Sequence, residues 1–422
     1  MSGTQHPRVR RRRVIYIPGY DPMPARRYRE LYRKEGAEQA RISGYEIGIR
    51  ARQAEGDFGW QVAAHMDGAK VMAEVDVLVW SDIVRDSMSD TIPGTYLQML
   101  RTAWIYIASG TLRRLMRMRK GPVIAALYPV GMLIGQALVA FLILRLVMRT
   151  VGWALTPVEA WIWGREETPL DWPVWALGLA LGIAAFVSVL RWFRARDGRL
   201  FAYYLMHDYA HAAGLRGAYP PELEARLDQM RARVAAALRE DVDEVLVVGH
   251  SSGAHLGVSI LADLIRAGEA PRGGPALGFL SLGQVVPMVS FLPRADRLRS
   301  DLRFLSLSDR LTWVDVTAPG DGCAFALCDP VAVSGVAPEG KRWPLVISAA
   351  FTQTLSPERW RALRWRFFRL HFQYLCAFDR PGDYDYFRIT AGPLTLAERF
   401  EGRAPSRSRI DVAVSKYTSV AA

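Results

Sequence analysis

The sequence predicts an α/β fold with a mostly parallel sheet and helices on both of its faces, interrupted by a two-helix transmembrane hairpin. Short β-branched apolar runs alternate with helical patterns on both sides of a central region. That central region, residues 121–195, contains two long stretches without any charged residue. The run EVLVVG at 244–249 is continuously apolar, which is typical of a central parallel strand buried on both faces.

The predicted elements follow one another in a regular order along the chain. Strands are expected at 12–19, 44–51, 74–80, 244–249, 276–283 and 311–318, and helices at 24–39, 95–119, 220–241 and 252–268. The predicted parts are an N-terminal part of the α/β domain at 1–120, the hairpin at 121–195, a C-terminal part of the α/β domain at 196–400, and a basic flexible tail at 401–422.

The composition limits the class of protein. With 422 residues, half of them hydrophobic, the chain can form two domains or one large domain with an insertion. Cys323, Cys328 and Cys376 form no CxxC pair, and this sparse, odd set favours a reducing compartment. The apolar run near the N-terminus is too short for a signal peptide. We expect neither a metal ion nor an organic cofactor.

The two uncharged stretches, 122–144 and 172–190, predict transmembrane helices at about 122–146 and 172–192. Each is about long enough to cross a bilayer core, and neither has a polar face at helical spacing. Basic residues flank the outer ends, namely Arg113, Arg114, Arg117, Arg119 and Lys120 before the first stretch and Arg191, Arg194, Arg196 and Arg199 after the second. Because basic flanks stay in the cytoplasm, we expect both termini there.

The connection between the stretches has the opposite character. It carries Glu159, Glu166, Glu167 and Asp171 against Arg165, with Arg145 and Arg149 at the end of the first stretch. Five tryptophans cluster at this end of the hairpin, as in an aromatic interfacial belt: Trp153, Trp161, Trp163, Trp172 and Trp175. The alternative is a pair of buried core helices in a soluble protein.

Two small-residue motifs lie in the hairpin, Gly131-x-x-x-Gly135 and Gly178-x-x-x-Gly182. Such faces allow helices to pack closely, so they either hold the hairpin together or form a homodimer. The net charge of +12 is explained by clusters of basic residues that attract anionic lipid headgroups, and nucleic acid is not needed as a partner. The Arg- and Ala-rich composition suits a bacterial inner membrane.

The stretch Gly249-His250-Ser251-Ser252-Gly253 has the pattern G-x-S-x-G between the strand at 244–249 and the following helix. A serine at such a turn has strained backbone angles, and the glycines let strand and helix approach closely. The turn exposes the hydroxyl group and directs the N–H groups of the helix N-terminus at a developing oxyanion. The alternative is a structural turn of small residues.

In this strand–turn–helix context the sequence resembles the α/β-hydrolase superfamily, and within it a divergent lipase or esterase-like branch. The resemblance covers about residues 12–22 and 243–375, and it implies a catalytic order of serine, acid and histidine. The histidines of the chain are at 6, 65, 207, 211, 250, 255 and 371. Only His371 lies well downstream of Ser251 and beyond the candidate acid, so it is the predicted base. His250 and His255 are expected to be structural.

The resemblance also directs attention to an acid and an oxyanion hole. Asp321 lies in a Pro-Gly-Asp-Gly turn after the strand at 311–318, similar to the turn that carries the acid of the superfamily. Asp315 and Asp329 are second choices. The oxyanion donors would be the N–H groups of Ser252 and Tyr20. The stretch YIPGYDP resembles the early His-Gly loop of the superfamily, although Pro18 replaces the histidine.

These residues predict a membrane-anchored serine hydrolase that cleaves lipid or lipophilic acyl esters through an acyl-enzyme intermediate. One alternative is a non-catalytic membrane protein that uses a hydrolase-like domain for interaction. Another is a metal-dependent hydrolase, because His207 and His211 have the spacing of metal ligands on one helix face.

Overall fold

The computed structural model describes residues 9–21, 24–52, 58–88, 91–163 and 171–421. Its eight strands are Arg11–Ile17 (β1), Glu46–Ala51 (β2), Gly59–Met66 (β3), Ala69–Val77 (β4), Glu244–His250 (β5), Ala276–Leu282 (β6), Thr312–Thr317 (β7) and Leu345–Ser348 (β8). They form one sheet in the order β2-β3-β4-β1-β5-β6-β7-β8. The predicted α/β class is therefore confirmed.

The sheet is mixed rather than wholly parallel. Strands β4, β1, β5, β6, β7 and β8 pair in parallel, whereas β2 and β3 add an antiparallel edge. Asp67 and Gly68 join β3 to β4 with positive φ angles of 52° and 74°. A two-residue Asp-Gly turn of this kind sets up an antiparallel hairpin. The sequence patterns missed β3 and β8 but placed the other six strands.

Helices connect these strands along the chain. They are Arg26–Ser43 (α1), Ser81–Ser87 (α2), Ile92–Ala108 (α3), Thr111–Met118 (α4), Lys120–Trp163 (α5), Asp171–Ala195 (α6), Asp197–Leu200 (α7), Ala202–Ala213 (α8), Pro221–Ala237 (α9), Gly253–Arg266 (α10), Val286–Ser290 (α11), Asp296–Leu307 (α12), Pro330–Val333 (α13), Phe351–Thr354 (α14), Pro357–Leu363 (α15), Phe367–His371 (α16), Tyr386–Ala391 (α17) and Leu396–Arg399 (α18). A short 3₁₀ helix, Phe372–Leu375, follows α16. Strand β5 is buried along its whole length, as its apolar sequence predicts.

The chain divides into two compact units. The first comprises the described residues up to 87, then 104–125 and 212–421, and it contains the whole sheet. The second comprises the described parts of 88–103 and 126–211. The predicted insertion at 121–195 therefore corresponds to most, but not all, of the second unit.

Two helices are long and apolar enough to cross a membrane. The candidate spans are Lys120–Leu155, with a mean hydropathy of 2.2, and Trp172–Ala195, with a mean hydropathy of 2.1. Only 17% of the most apolar window of each span is buried, whereas a core helix of a soluble protein is mostly buried. Trp153 and Trp161 are more than 80% exposed. Three charged residues of the connection between the two stretches, Arg165, Glu166 and Glu167, lie outside the described residues.

One of the two small-residue motifs is used inside the second unit. A Cβ atom on Gly182 would lie 3.1 Å from the carbonyl oxygen of Leu144, and one on Gly178 would lie 3.4 Å from the Cα atom of Met148. These glycines therefore let α6 pack closely on α5. Among the described residues nothing lies within 4 Å of such an atom on Gly131 or Gly135, so only that face is open to a second copy.

The C-terminal segment, predicted from its composition to be a flexible tail, forms backbone hydrogen bonds with other parts of the first unit. The N–H group of Ser406 donates to the carbonyl oxygen of Val346 (2.9 Å), and that of Ile410 donates to Leu327 (2.7 Å). The N–H group of Val414 donates to Val333 (3.0 Å). The segment therefore satisfies carbonyl groups of β8 and of the loop after β7. Composition does not reveal such backbone pairing, because it uses no side-chain pattern.

Asp315 lies inside β7 and is completely buried. Its Oδ1 atom accepts a hydrogen bond from Ser281 (2.6 Å), and the same hydroxyl accepts one from the Trp313 indole (2.9 Å). The Oδ2 atom has no partner among the described residues. Burial raises the pKa of Asp315 to about 8, against the opposing effect of the Ser281 hydrogen bond. Asp315 is therefore a neutral hydrogen-bonding group in the core.

We expect the free energy of unfolding of the wild type to fall as the pH rises, and Asp315→Asn to remove this fall. The Asp315 carboxyl ionises near pH 3.8 in the unfolded chain and near pH 8 in the folded protein. The wild type is therefore most stable below about pH 3.8, and its free energy of unfolding falls as the pH rises from there towards 8. The slope is up to about 1.4 kcal/mol per pH unit. Thermal unfolding of the purified protein between pH 4 and 9 measures this. Asp309→Asn, at an exposed aspartate, is the control, and an identical pH dependence of Asp315→Asn and the wild type would refute the prediction.

Candidate active site

The loops at the carboxyl ends of four adjacent parallel strands converge on Ser251. Strand β5 leads directly into this serine, and β1, on one side, leads into Gly19. On the other side β6 leads into Gly283 and β7 into the loop of Asp321. Ligands of open α/β sheets bind at this edge, because the loops there are free to vary while the strands position them.

The turn at Ser251 has the geometry that the G-x-S-x-G pattern predicts. Ser251 has a φ angle of 56°, which is uncommon for a residue with a side chain. Its N–H group donates to the carbonyl oxygen of Leu282 at the end of β6 (2.9 Å), and helix α10 begins two residues later. The sheet therefore holds the serine in a strained conformation, as at a nucleophile elbow.

Both glycines of the motif are required by close backbone contacts. A Cβ atom on Gly249 would lie 2.6 Å from the carbonyl oxygen of Gly253. A Cβ atom on Gly253 would lie 2.2 Å from the carbonyl oxygen of Ile17. Real Cβ atoms do not approach so closely, so any larger residue would push α10 away from β5 or from β1.

The loop after β1 lies directly against the serine. A Cβ atom on Gly19 would lie 2.9 Å from the Cβ atom of Ser251. The side chain of Tyr20 is buried and its hydroxyl group contacts Ser87 (2.6 Å), while the Trp80 indole donates to the carbonyl oxygen of Pro18 (3.0 Å). These contacts fix the loop. The residues predicted to supply the oxyanion donors, Tyr20 and Ser252, therefore both lie near Ser251.

His371 and Asp321 form a buried hydrogen-bonded pair. Nδ1 of His371 lies 2.7 Å from Oδ2 of Asp321, and the same oxygen accepts a hydrogen bond from the Tyr374 hydroxyl (3.0 Å). Oδ1 accepts one from the N–H group of Cys323 (2.8 Å). Burial raises the pKa of Asp321, but the attraction of His371 and these hydrogen bonds outweigh it and bring the pKa below its ordinary value. Asp321 is thus an ionised partner that fixes the imidazole ring.

The second-choice acids, Asp315 and Asp329, have other partners than His371. Asp315 is bound to Ser281 inside β7. Asp329 caps α13 through the N–H groups of Val331 and Ala332, and its other oxygen accepts from Lys341 (2.6 Å). Of the three aspartates, Asp321 is the one whose carboxyl group contacts His371 in the described part of the chain.

His250 and Gly283 place the ring of His371 over the ends of β5 and β6. Nε2 of His250 donates to the carbonyl oxygen of His371 (3.0 Å), and the two rings lie 4.8 Å apart. Burial lowers the pKa of His250 to about 3, so it is a neutral donor. A Cβ atom on Gly283 would lie 3.0 Å from Cε1 of His371. The structural role predicted for His250 thus includes positioning of His371.

The atom of His371 that would accept the serine proton is available. Nε2 is buried and has no hydrogen-bond partner among the described residues, and the Ser251 hydroxyl makes no hydrogen bond to them either. His250, which precedes Ser251, and Gly283 both contact His371, and no hydrogen bond joins Ser251 to His371 among the described residues. In hydrolytic sites this hydrogen bond often tightens only when substrate binds.

Sequence reasoning did not find Tyr374. It is completely buried, donates to Asp321, and accepts a hydrogen bond from the N–H group of Ala318 (2.9 Å). It therefore connects the end of β7 to the acid. Its position three residues after His371 was the available signal, but spacing alone does not show which of the nearby aromatic residues faces the acid.

The described residues contain one group of side chains with metal-ligand geometry. Asp321, Cys323 and His371 place three ligand atoms within 4.8 Å of one another, so this group includes the His371–Asp321 pair. His207 and His211, the alternative metal site, are not part of it. Nδ1 of His207 instead lies 2.7 Å from the side-chain oxygen of Gln98.

No protein-family model matches the sequence, and searches of curated proteins and of solved structures find no similar protein. The resemblance to the α/β-hydrolases therefore stays a prediction from the sequence motifs.

We expect Tyr374→Phe to slow labelling of Ser251 by an active-site fluorophosphonate about tenfold, because hydrogen bonds to charged groups contribute about 1.5–3 kcal/mol. The matched control is Tyr45→Phe, which removes a tyrosine hydrogen bond to the buried Asp385. Both variants should lose thermal stability, but only Tyr374→Phe should label slowly. Equal labelling rates would show that Tyr374 stabilises the fold without positioning Asp321.

Proposed function

We propose that the protein is a serine hydrolase that cleaves acyl esters, with Ser251 as nucleophile, His371 as general base and Asp321 as its partner. The observation that carries the proposal is the combination of a strained serine at a strand–helix turn with a buried His–Asp pair beside it. A purely structural turn needs neither the positive φ angle of Ser251 nor an ionised partner for His371.

The proposed reaction has two half-reactions, in each of which His371 first accepts a proton and then donates it. The Ser251 hydroxyl attacks the ester carbonyl carbon while Nε2 of His371 takes its proton, and Asp321 stabilises the resulting imidazolium. The N–H groups of Tyr20 and Ser252 bind the oxyanion. Collapse of the tetrahedral intermediate breaks the C–O bond, and His371 protonates the leaving alcohol. Water then releases the acid from Ser251 by the same steps, without a metal or cofactor.

The substrate class follows from the two apolar helices. They are inserted in the chain between β4 and β5, so a bilayer that holds them would also hold the hydrolytic unit at its surface. We infer that the substrate is an ester that partitions into the membrane, such as a phospholipid or a glyceride. Basic residues at the outer ends of both spans support a cytoplasmic position of the hydrolytic unit.

We expect the wild type, solubilised in detergent, to react covalently with a fluorophosphonate probe. Ser251→Ala should abolish labelling because it removes the attacking oxygen, and Asp321→Asn and His371→Ala should slow it by at least about a hundredfold. Ser252→Ala is the matched control, since its backbone N–H group is retained. Absence of labelling in a folded wild type would favour the alternative of a non-catalytic interaction protein.

The membrane orientation is tested with reporter fusions in a bacterial host. Alkaline phosphatase fused within the hairpin connection, after residue 165, should be active because it is exported. A fluorescent protein fused to the C-terminus should fold in the cytoplasm and fluoresce. The reverse pattern would contradict the proposed side of the membrane.

A further inference from the structure

A cavity of about 350 Å³ opens on the outer side of the catalytic acid loop. Its volume is in the usual range of ligand pockets. Its walls come from three parts of the first unit: the start of α5, the loop after β7, and the segment from α15 to α16. The lining residues used below are Arg119, Asp321, Trp360, Arg364, Trp365 and Phe367.

The charge of the cavity is positive. Arg119 and Arg364 line it, together with one carboxylate, that of Asp321. The oxygens of Asp321 are already bound by His371, Tyr374 and the N–H group of Cys323, so they do not pair with these arginines. Two guanidinium groups outnumber the single carboxylate, and this net positive charge suits an anionic ligand.

The aromatic walls suit the edge of a membrane. The side chain of Trp365 is 73% exposed and that of Phe367 is 43% exposed, beside the cationic Arg364. Aromatic rings and arginines together are typical of the interface between lipid headgroups and hydrocarbon. An ordinary soluble surface has little reason to expose these two large side chains next to a cavity.

The cavity is also built into the start of the first candidate span. Arg119 directly precedes α5, and its Nε atom donates to the carbonyl oxygen of Ala326 (2.8 Å). A Cβ atom on Gly121 would lie 3.6 Å from the Cα atom of Gly322, so the first turn of α5 touches the acid loop. A ligand in this cavity would therefore sit where the chain enters the bilayer.

We propose that this cavity binds the phosphodiester headgroup of an anionic phospholipid. Arg119 and Arg364 would bind the phosphate oxygens, and Trp365 and Phe367 would contact the adjoining glycerol and acyl carbons. The inference goes beyond the proposed function, because neither Ser251 nor His371 lines this cavity and the bound lipid need not be the ester that is cleaved. The binding itself does not depend on that function, because it can be measured without catalysis.

The test measures binding of a short-chain fluorescent phosphatidylglycerol to detergent-solubilised Ser251→Ala, with the phosphatidylcholine analogue as comparison. We expect preference for phosphatidylglycerol, and about tenfold weaker binding of it after Arg364→Gln. Arg369→Gln is the matched control, since Arg369 is an exposed arginine of α16 outside the cavity. Arg119→Lys keeps the charge but loses the planar fork, so it should also weaken binding.

Three outcomes would overturn the inference. Equal losses in Arg364→Gln and Arg369→Gln would show a diffuse surface charge. Equal binding of the two lipids would show that the cavity does not distinguish an anionic headgroup from the zwitterionic headgroup of phosphatidylcholine, which has no net charge. Protection of Trp365 from oxidation by inorganic phosphate but not by phosphatidylglycerol would identify a free anion as the ligand. Failure of fluorophosphonate labelling with intact lipid preference would instead refute only the hydrolase proposal.

Discussion

The position of β1 between β4 and β5 is the constraint on which the rest of the structure depends. The chain leaves the sheet after β4, forms the second unit, and returns to the sheet as β5. Because β1 pairs in parallel with both neighbours, the two halves of the divided domain form one sheet. The register that places Ile17 opposite Gly249 also brings the loop after β1 to Ser251. The fold and the position of Ser251 are therefore fixed by the same pairing.

A buried ion pair holds the opposite end of this pairing. Arg12 on β1 donates to Glu244 on β5 (2.6 Å), and both side chains are almost completely buried. Arg12 also donates to the carbonyl oxygen of Gly392 (2.7 Å), and Glu244 accepts from the N–H group of Leu396 (2.6 Å). Such a pair tolerates burial only when its remaining hydrogen bonds are satisfied. Since loss of one partner would leave a buried charge, the pair opposes any slip of β1 against β5.

Local patterns were sufficient for the parts of the fold that depend on neighbours in sequence. The apolar run of β5, the G-x-S-x-G turn and the two apolar helices were predicted in place. Strand β3 was missed although Trp60, Val62, Ala64 and Met66 are buried at the spacing of a strand, and β8 has only four residues. The backbone pairing of the C-terminal segment was not predicted, because composition does not show which backbone carbonyls remain to be paired.

The candidate site shows the same division between local and distant information. The strained turn at Ser251 follows from its own pentapeptide, and Asp321 was already preferred for its Pro-Gly-Asp-Gly turn, but its contact with His371 is seen only in the tertiary structure. All three aspartates lie in or after β7, and they differ in the hydrogen-bond partners of their carboxyl oxygens. The contribution of Tyr374 was invisible for the same reason, since it bonds to a carboxylate 53 residues away in sequence.

The acid loop has two faces, and both constrain Asp321. On the inner face His371 and Tyr374 bind the carboxylate. On the outer face the indole of Trp360 packs on Gly320, where a Cβ atom would come within 2.5 Å of the ring, and the ring of Phe367 packs on Gly322. Glycine is therefore needed on both sides of the acid for the aromatic wall to approach. The same short loop therefore carries Asp321 on one side and lines the outer cavity on the other, so a displacement of the loop would change the His371–Asp321 distance.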